Sequence, residues 1–113
     1  MEISVTGDGV PGVTVISLVG EADVSTAARL REELVRAVGE GGPAYVVDLS
    51  RVPFLDSTAL GVLVGRLKAV RSAGGDLVLV TDDQRLLRNF AITGLDKVFG
   101  IFPTIGEATA ALS

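Results

Sequence analysis

Short apolar runs rich in branched residues alternate with stretches whose apolar residues recur at helical spacing, along the whole chain. This alternation limits the fold more than any other feature. Strands that are followed each time by a helix must run largely parallel, because a parallel neighbour is reached only by a crossover. Ile3 to Thr6 and Val13 to Val19 read as two strands, with the turn-forming stretch Gly7-Asp8-Gly9-Val10-Pro11-Gly12 between them. That pair is an N-terminal hairpin, and it supplies one antiparallel strand. Ala27, Leu30, Leu34, Val35 and Val38 then mark one face of a helix, while Arg29, Arg31, Glu32, Glu33 and Arg36 fall on its solvated side. Gly39-Glu40-Gly41-Gly42-Pro43 ends it.

Ala44 to Leu49 is apolar enough for a central strand buried on both faces. Leu60, Leu63, Val64, Leu67 and Val70 form a second helical stripe that stops at Gly74-Gly75. Leu77 to Val80 is a further buried strand. Thr81 and Gln84 have capping-box spacing ahead of Leu86, Leu87 and Phe90, and Gly94 closes that helix. Lys97 to Phe102 is expected to be the last strand, and Thr104 with Glu107 repeats the capping-box spacing before a C-terminal helix. The expected order is ββαβαβαβα, an α/β fold with a mixed, mostly parallel sheet and packed helices. A length of 113 residues fits a single domain over 1–113.

Composition narrows the chemistry. Hydrophobic residues make up 48% of the chain and aromatics only 4%, so Val, Leu, Ile and Ala must fill the core. A net charge of −4 and a pI near 4.6 withhold the basic surface that a phosphate backbone requires, which argues against nucleic-acid binding. The chain has no cysteine and no histidine. That removes disulfides, thiolate nucleophiles, the commonest general base and the commonest metal ligand. No catalytic site, metal or cofactor is expected. The start Met1-Glu2-Ile3-Ser4-Val5 has no basic segment and no apolar h-region, and no apolar run approaches a membrane span. A cytoplasmic location is expected.

The acidic pairs Glu32-Glu33 and Asp82-Asp83 lie where acids are ordinary, on a helix face and at a helix start. Patterns for a nucleophile elbow, a Walker loop or a dinucleotide fingerprint are absent. One stretch stands apart: Val52-Pro53-Phe54-Leu55-Asp56-Ser57-Thr58-Ala59-Leu60-Gly61. It joins the Tyr45–Leu49 strand to the second helix, at the carboxyl end of a strand, where open α/β sheets commonly place their sites. Asp56, Ser57 and Thr58 can each cap the helix, and only one is needed. A phosphate on Ser57 would meet free backbone N–H groups and the positive end of the helix.

Tyr45-Val46-Val47-Asp48-Leu49-Ser50 followed by Val52 to Gly61 resembles the signature of the STAS-domain anti-sigma-factor antagonists of bacteria. Gly20-Glu21-Ala22-Asp23 and Thr93-Gly94-Leu95 are similar to two further short motifs of that family, in the same order. Ala59 stands where Gly is frequent, and Ala22 where a larger apolar residue is common. The resemblance implies partner switching. The unphosphorylated protein would bind an anti-sigma factor that is also a serine kinase, and so free a sigma factor. Phosphorylation of Ser57 would end the interaction, and a serine phosphatase would reverse it. It implies a partner-binding surface of Asp23, Asp56, Ser57, Thr58, Leu60 and Gly61. It also leaves open a STAS accessory or scaffold subunit in another system, such as a lipid transporter or a stress-signalling complex. A monomer is the default free state, although an exposed edge of the first strand could pair with another chain.

Overall fold

A computed structural model describes residues 1–7, 11–40 and 43–112. Five strands form one sheet: β1 (Glu2–Gly7), β2 (Val13–Val19), β3 (Ala44–Arg51), β4 (Asp76–Val80) and β5 (Gly100–Phe102). They lie side by side in chain order. β1 runs antiparallel to β2, and every later pair is parallel. Four α-helices, α1 (Ala27–Glu40), α2 (Ser57–Ser72), α3 (Gln84–Ile92) and α4 (Ile105–Leu112), complete the described elements with a short 3-10 turn at Leu95–Lys97. The mixed, mostly parallel sheet is the expected fold class.

Strand periodicity divides the core in two. Ile16 and Leu18 of β2, Tyr45, Val47 and Leu49 of β3, and Leu77 and Leu79 of β4 face one side. Val13, Val15, Val46, Val78 and Val80 alternate with them and face the other. Each crossover advances the sheet by one neighbour in the same direction, so crossovers of one hand put their helices on one face. Leu30 and Leu34 of α1, Leu63 and Leu67 of α2, and Phe90 of α3 accordingly share the larger core. α4 follows the last strand, needs no crossover, and covers the second face with Ala108, Ile105 and Leu112. Its cover is partial. Beyond it the second face turns polar, with Ser17 on β2 and Asp48 and Ser50 on β3.

Two local expectations are corrected. Thr81 and Gln84 do not form a capping box, because α3 begins at Gln84 itself and Asp83 caps it, its carboxylate accepting from the Arg85 N–H at 2.8 Å. Thr81 is buried, and its hydroxyl accepts from the Asp83 N–H instead. The last strand is shorter than Lys97 to Phe102. Val98 and Phe99 both donate to the Leu95 carbonyl, and the turn brings the Phe99 ring edge-on to Phe90 at 6.2 Å. α1 ends at Glu40, within its expected terminator, of which Gly41 and Gly42 lie outside the described residues. Asp8, Gly9 and Val10 of the hairpin loop also lie outside them.

At the second such spacing Thr104 does cap α4, the Glu107 N–H donating to its hydroxyl at 3.2 Å, while the Glu107 carboxylate accepts from that hydroxyl at 3.5 Å rather than closing the box on the backbone. Gly94 adopts a left-handed φ of 75° directly after α3, which is the conformation that favours glycine at a helix end. Among the described residues, no helix is long and apolar enough to cross a membrane.

Candidate functional site

The loops after β2 and β3 do not diverge where the sheet ends. Gly20 donates to the Arg51 carbonyl, Ala22 to Phe54, and Asp56 back to Ala22, at 2.9 to 3.1 Å. Ala22 and Leu55 form an isolated parallel bridge, so the two loops remain zipped past the last strand residue. Leu55 is 1% exposed and anchors this extension in the larger core. Ala22 is wholly buried beside it, in a place where its small side chain fits.

Asp56 ends the extension in β-type backbone and caps α2, with Oδ1 accepting from the Ala59 N–H at 3.0 Å. The three-way choice among Asp56, Ser57 and Thr58 is thereby resolved in favour of Asp56. Ser57 becomes the first residue of the helix and Thr58 the second, and both are exposed. Among the described residues, the Ser57 hydroxyl and the N–H groups of Ser57 and Thr58 have no hydrogen-bond partner. Gly61 lies one turn beyond Ser57 on the same face, also exposed, with open space where a Cβ would stand. Leu60 is different. It is 7% exposed and packs in the larger core, as its place in the helical stripe implies.

Asp23 is half-buried and opens the turn that leads into α1. It is not the cap of that helix. Its Oδ1 accepts from the Ser25 hydroxyl at 2.6 Å and the Ser25 N–H at 2.9 Å, while its own N–H donates to the Thr26 hydroxyl. The Ser25 hydroxyl, assisted by backbone N–H groups, holds the Asp23 carboxyl below the usual aspartate range, so it is ionised at neutral pH. Asp56 Oδ2 accepts from the Val24 N–H at 3.0 Å, which draws the Asp23 turn to the head of α2.

Two apolar side chains flank this cluster that sequence reasoning did not single out. Val24 is 73% exposed and Phe54 is 49% exposed. Neither belongs to a periodic stripe, so the only available signal was apolar character within the polar turn and within the loop before Asp56. The chemistry open to the cluster is limited. Among the described residues, no side chain is hydrogen-bonded to the Ser57 hydroxyl in the way that a general base would be. Among the described residues, no group of three or more acidic, His or Cys side chains could hold a metal ion.

Residues 5–108 match the STAS domain. The chain belongs to the STAS family. It is 43% identical over 86 residues to the anti-sigma-B factor antagonist of Bacillus subtilis, covering 76% of this chain and 78% of that one. It is 35% identical over 106 residues to the anti-sigma-F factor antagonist RsfB of Mycobacterium tuberculosis, covering 94% of this chain and 86% of that one. The crystal structure of an anti-sigma factor antagonist from Mycobacterium paratuberculosis superimposes with a TM-score of 0.81 at 32% identity, over 98% of this chain and 94% of that one. This STAS chain therefore has both the sheet order and the loop-to-helix junction on which the motif resemblance drew.

Proposed function

We propose that this STAS protein is an anti-sigma-factor antagonist whose partner binding is switched off by phosphorylation of Ser57. The observation that carries the reading is the exposed, unpartnered Ser57 hydroxyl at the first turn of α2, in a chain whose relatives are named antagonists of anti-sigma factors. Unphosphorylated, the surface of Asp23, Asp56, Ser57, Thr58 and Gly61 docks on the anti-sigma factor, with Val24 and Phe54 as apolar anchors. The anti-sigma factor then releases its sigma factor. Acting as a serine kinase, it supplies the base and the ATP that this chain lacks, and transfers a phosphate to Ser57. A dianion placed at the head of α2 is favourable for the helix and adverse for the complex. A serine phosphatase restores the binding form. The protein is a cytoplasmic binding module and the kinase's substrate, not an enzyme.

Ser57→Ala tests the reading. The helix keeps its cap, because Asp56 and not Ser57 supplies it. The variant is expected to melt with the unaltered protein, to bind the anti-sigma factor with unchanged affinity by calorimetry, and to stay bound when ATP is added. Dissociation of that complex by ATP would place the switch elsewhere.

Gly61 gives an independent check. A mid-helix glycine is destabilising by about 0.5–1 kcal/mol relative to alanine, and here a Cβ would meet nothing inside the chain. Gly61→Ala should therefore stabilise the protein by about that amount. Its affinity for the anti-sigma factor should nevertheless fall, since the partner's close approach is the use left for the missing side chain. A variant that gains stability and binds unchanged would remove Gly61 from the interface.

A further inference from the structure

The carboxylate of Asp56 holds two separate segments at once. Its Oδ1 caps α2 through the Ala59 N–H, and its Oδ2 receives the Val24 N–H, each at 3.0 Å. The second bond joins residues 32 positions apart in the chain. A serine or threonine hydroxyl has only one oxygen to offer, and an asparagine amide has one acceptor oxygen beside a donor nitrogen. Only a carboxylate presents two acceptors in this geometry, and N–H bonds to it are charge-assisted.

The backbone bonds of Ala22 with Phe54 and Asp56 strap the preceding segment down, but they stop at Ala22. Beyond that point the turn holding Asp23 and Val24 is organised internally, through Ser25 and Thr26. The Val24–Asp56 hydrogen bond is the tie the structure places between that turn and the head of α2. We infer that Asp56 is a positioning residue, fixing the Asp23–Val24 turn against α2 so that the anti-sigma factor meets Asp23, Val24 and Ser57 as one preassembled surface. The inference rests on the proposed function for its partner, and on the two hydrogen bonds for its mechanism. A surface assembled before encounter spares the complex the entropy of ordering a loop.

Asp56→Ser separates the two bonds, because a single hydroxyl can retain the cap and lose the tie. By amide hydrogen exchange in the free protein, Val24 is expected to exchange about tenfold faster while Ala59 keeps its protection. Affinity for the anti-sigma factor should fall about tenfold, corresponding to roughly 1.4 kcal/mol. A double-mutant cycle with Asp23→Ala tells positioning from contact. If Asp56 acts through the turn, the combined loss is smaller than the sum of the single losses. Fully additive losses, or a Val24 amide that exchanges unchanged, would overturn the assignment. Should the serine variant prove unstable, Asp56→Asn keeps the size and one acceptor, and is expected to lose protection at one of the two amides but not both. No binding by the unaltered protein would contradict the functional reading, and the Val24 exchange would still decide whether Asp56 holds the turn.

Discussion

Ser57→Asp is expected to fold as the unaltered protein does and to lose at least a hundredfold in affinity for the anti-sigma factor. The two halves of this result have separate causes. Ser57 is exposed, its hydroxyl makes no hydrogen bond within the described residues, and it occupies the first position of α2, so its replacement disturbs no packing. A carboxylate there faces the positive end of the helix and adds about 0.3–1 kcal/mol if it changes stability at all. In the proposed complex the same charge would enter the docking surface, where it must be desolvated and would meet unfavourably any acidic group that the partner presents. Unfavourable charge juxtaposition across an interface costs several kcal/mol, and each 1.4 kcal/mol is about a tenfold loss. A phosphate carries about −1.5 to −2 charges, so the modified protein should bind more weakly still. Calorimetry on the variant, with a thermal melt beside it, reads both halves. Unchanged affinity in a folded variant would mean that charge is not how the switch works.

The largest effect on stability is expected from Leu55→Ala. Leu55 is 1% exposed, packs in the larger core, and bridges to Ala22 across the extended loops. Truncating a buried leucine to alanine typically costs about 2–5 kcal/mol, depending on how far the site collapses. That is a large share of the roughly 5–15 kcal/mol that holds a domain folded. Urea unfolding should show a midpoint shifted sharply downward with little change in slope. Since Leu55 sits between Phe54 and Asp56, its loss also frees the residues that present Ser57. Affinity for the partner should therefore drop even under conditions where the variant is still folded. A cost below about 1 kcal/mol would show that the loop is not anchored by this side chain.

Strand and helix positions were legible because the physics that sets them is local. Branched residues at alternating positions feed two faces of a sheet, and the spacing of Leu60, Leu63, Leu67 and Val70 makes one stripe. That same stripe already implied that Leu60 points inward, and it is buried in the larger core. The choice of cap was not legible. Asp56, Ser57 and Thr58 are all competent, and what decides among them is a second N–H arriving from Val24, far away in the chain. Thr81 and Gln84 show the converse, a correct spacing defeated by Asp83, which lies nearer the helix start and whose carboxylate accepts from the Arg85 N–H. The late start of β5 was hidden because Val98 and Phe99 are as apolar as a strand requires. Only the packing of Phe99 against Phe90 shows why that stretch turns instead.

The decisive measurement is a phosphosite map. The purified protein is incubated with the anti-sigma factor it captures from its own cell and with ATP, then digested and sequenced by mass spectrometry while the complex is followed by light scattering. A single phosphate on Ser57, appearing as the complex falls apart, is the expected result. A phosphate confined to Thr58 or to any other residue, or release of the partner with Ser57 still unmodified, would contradict it.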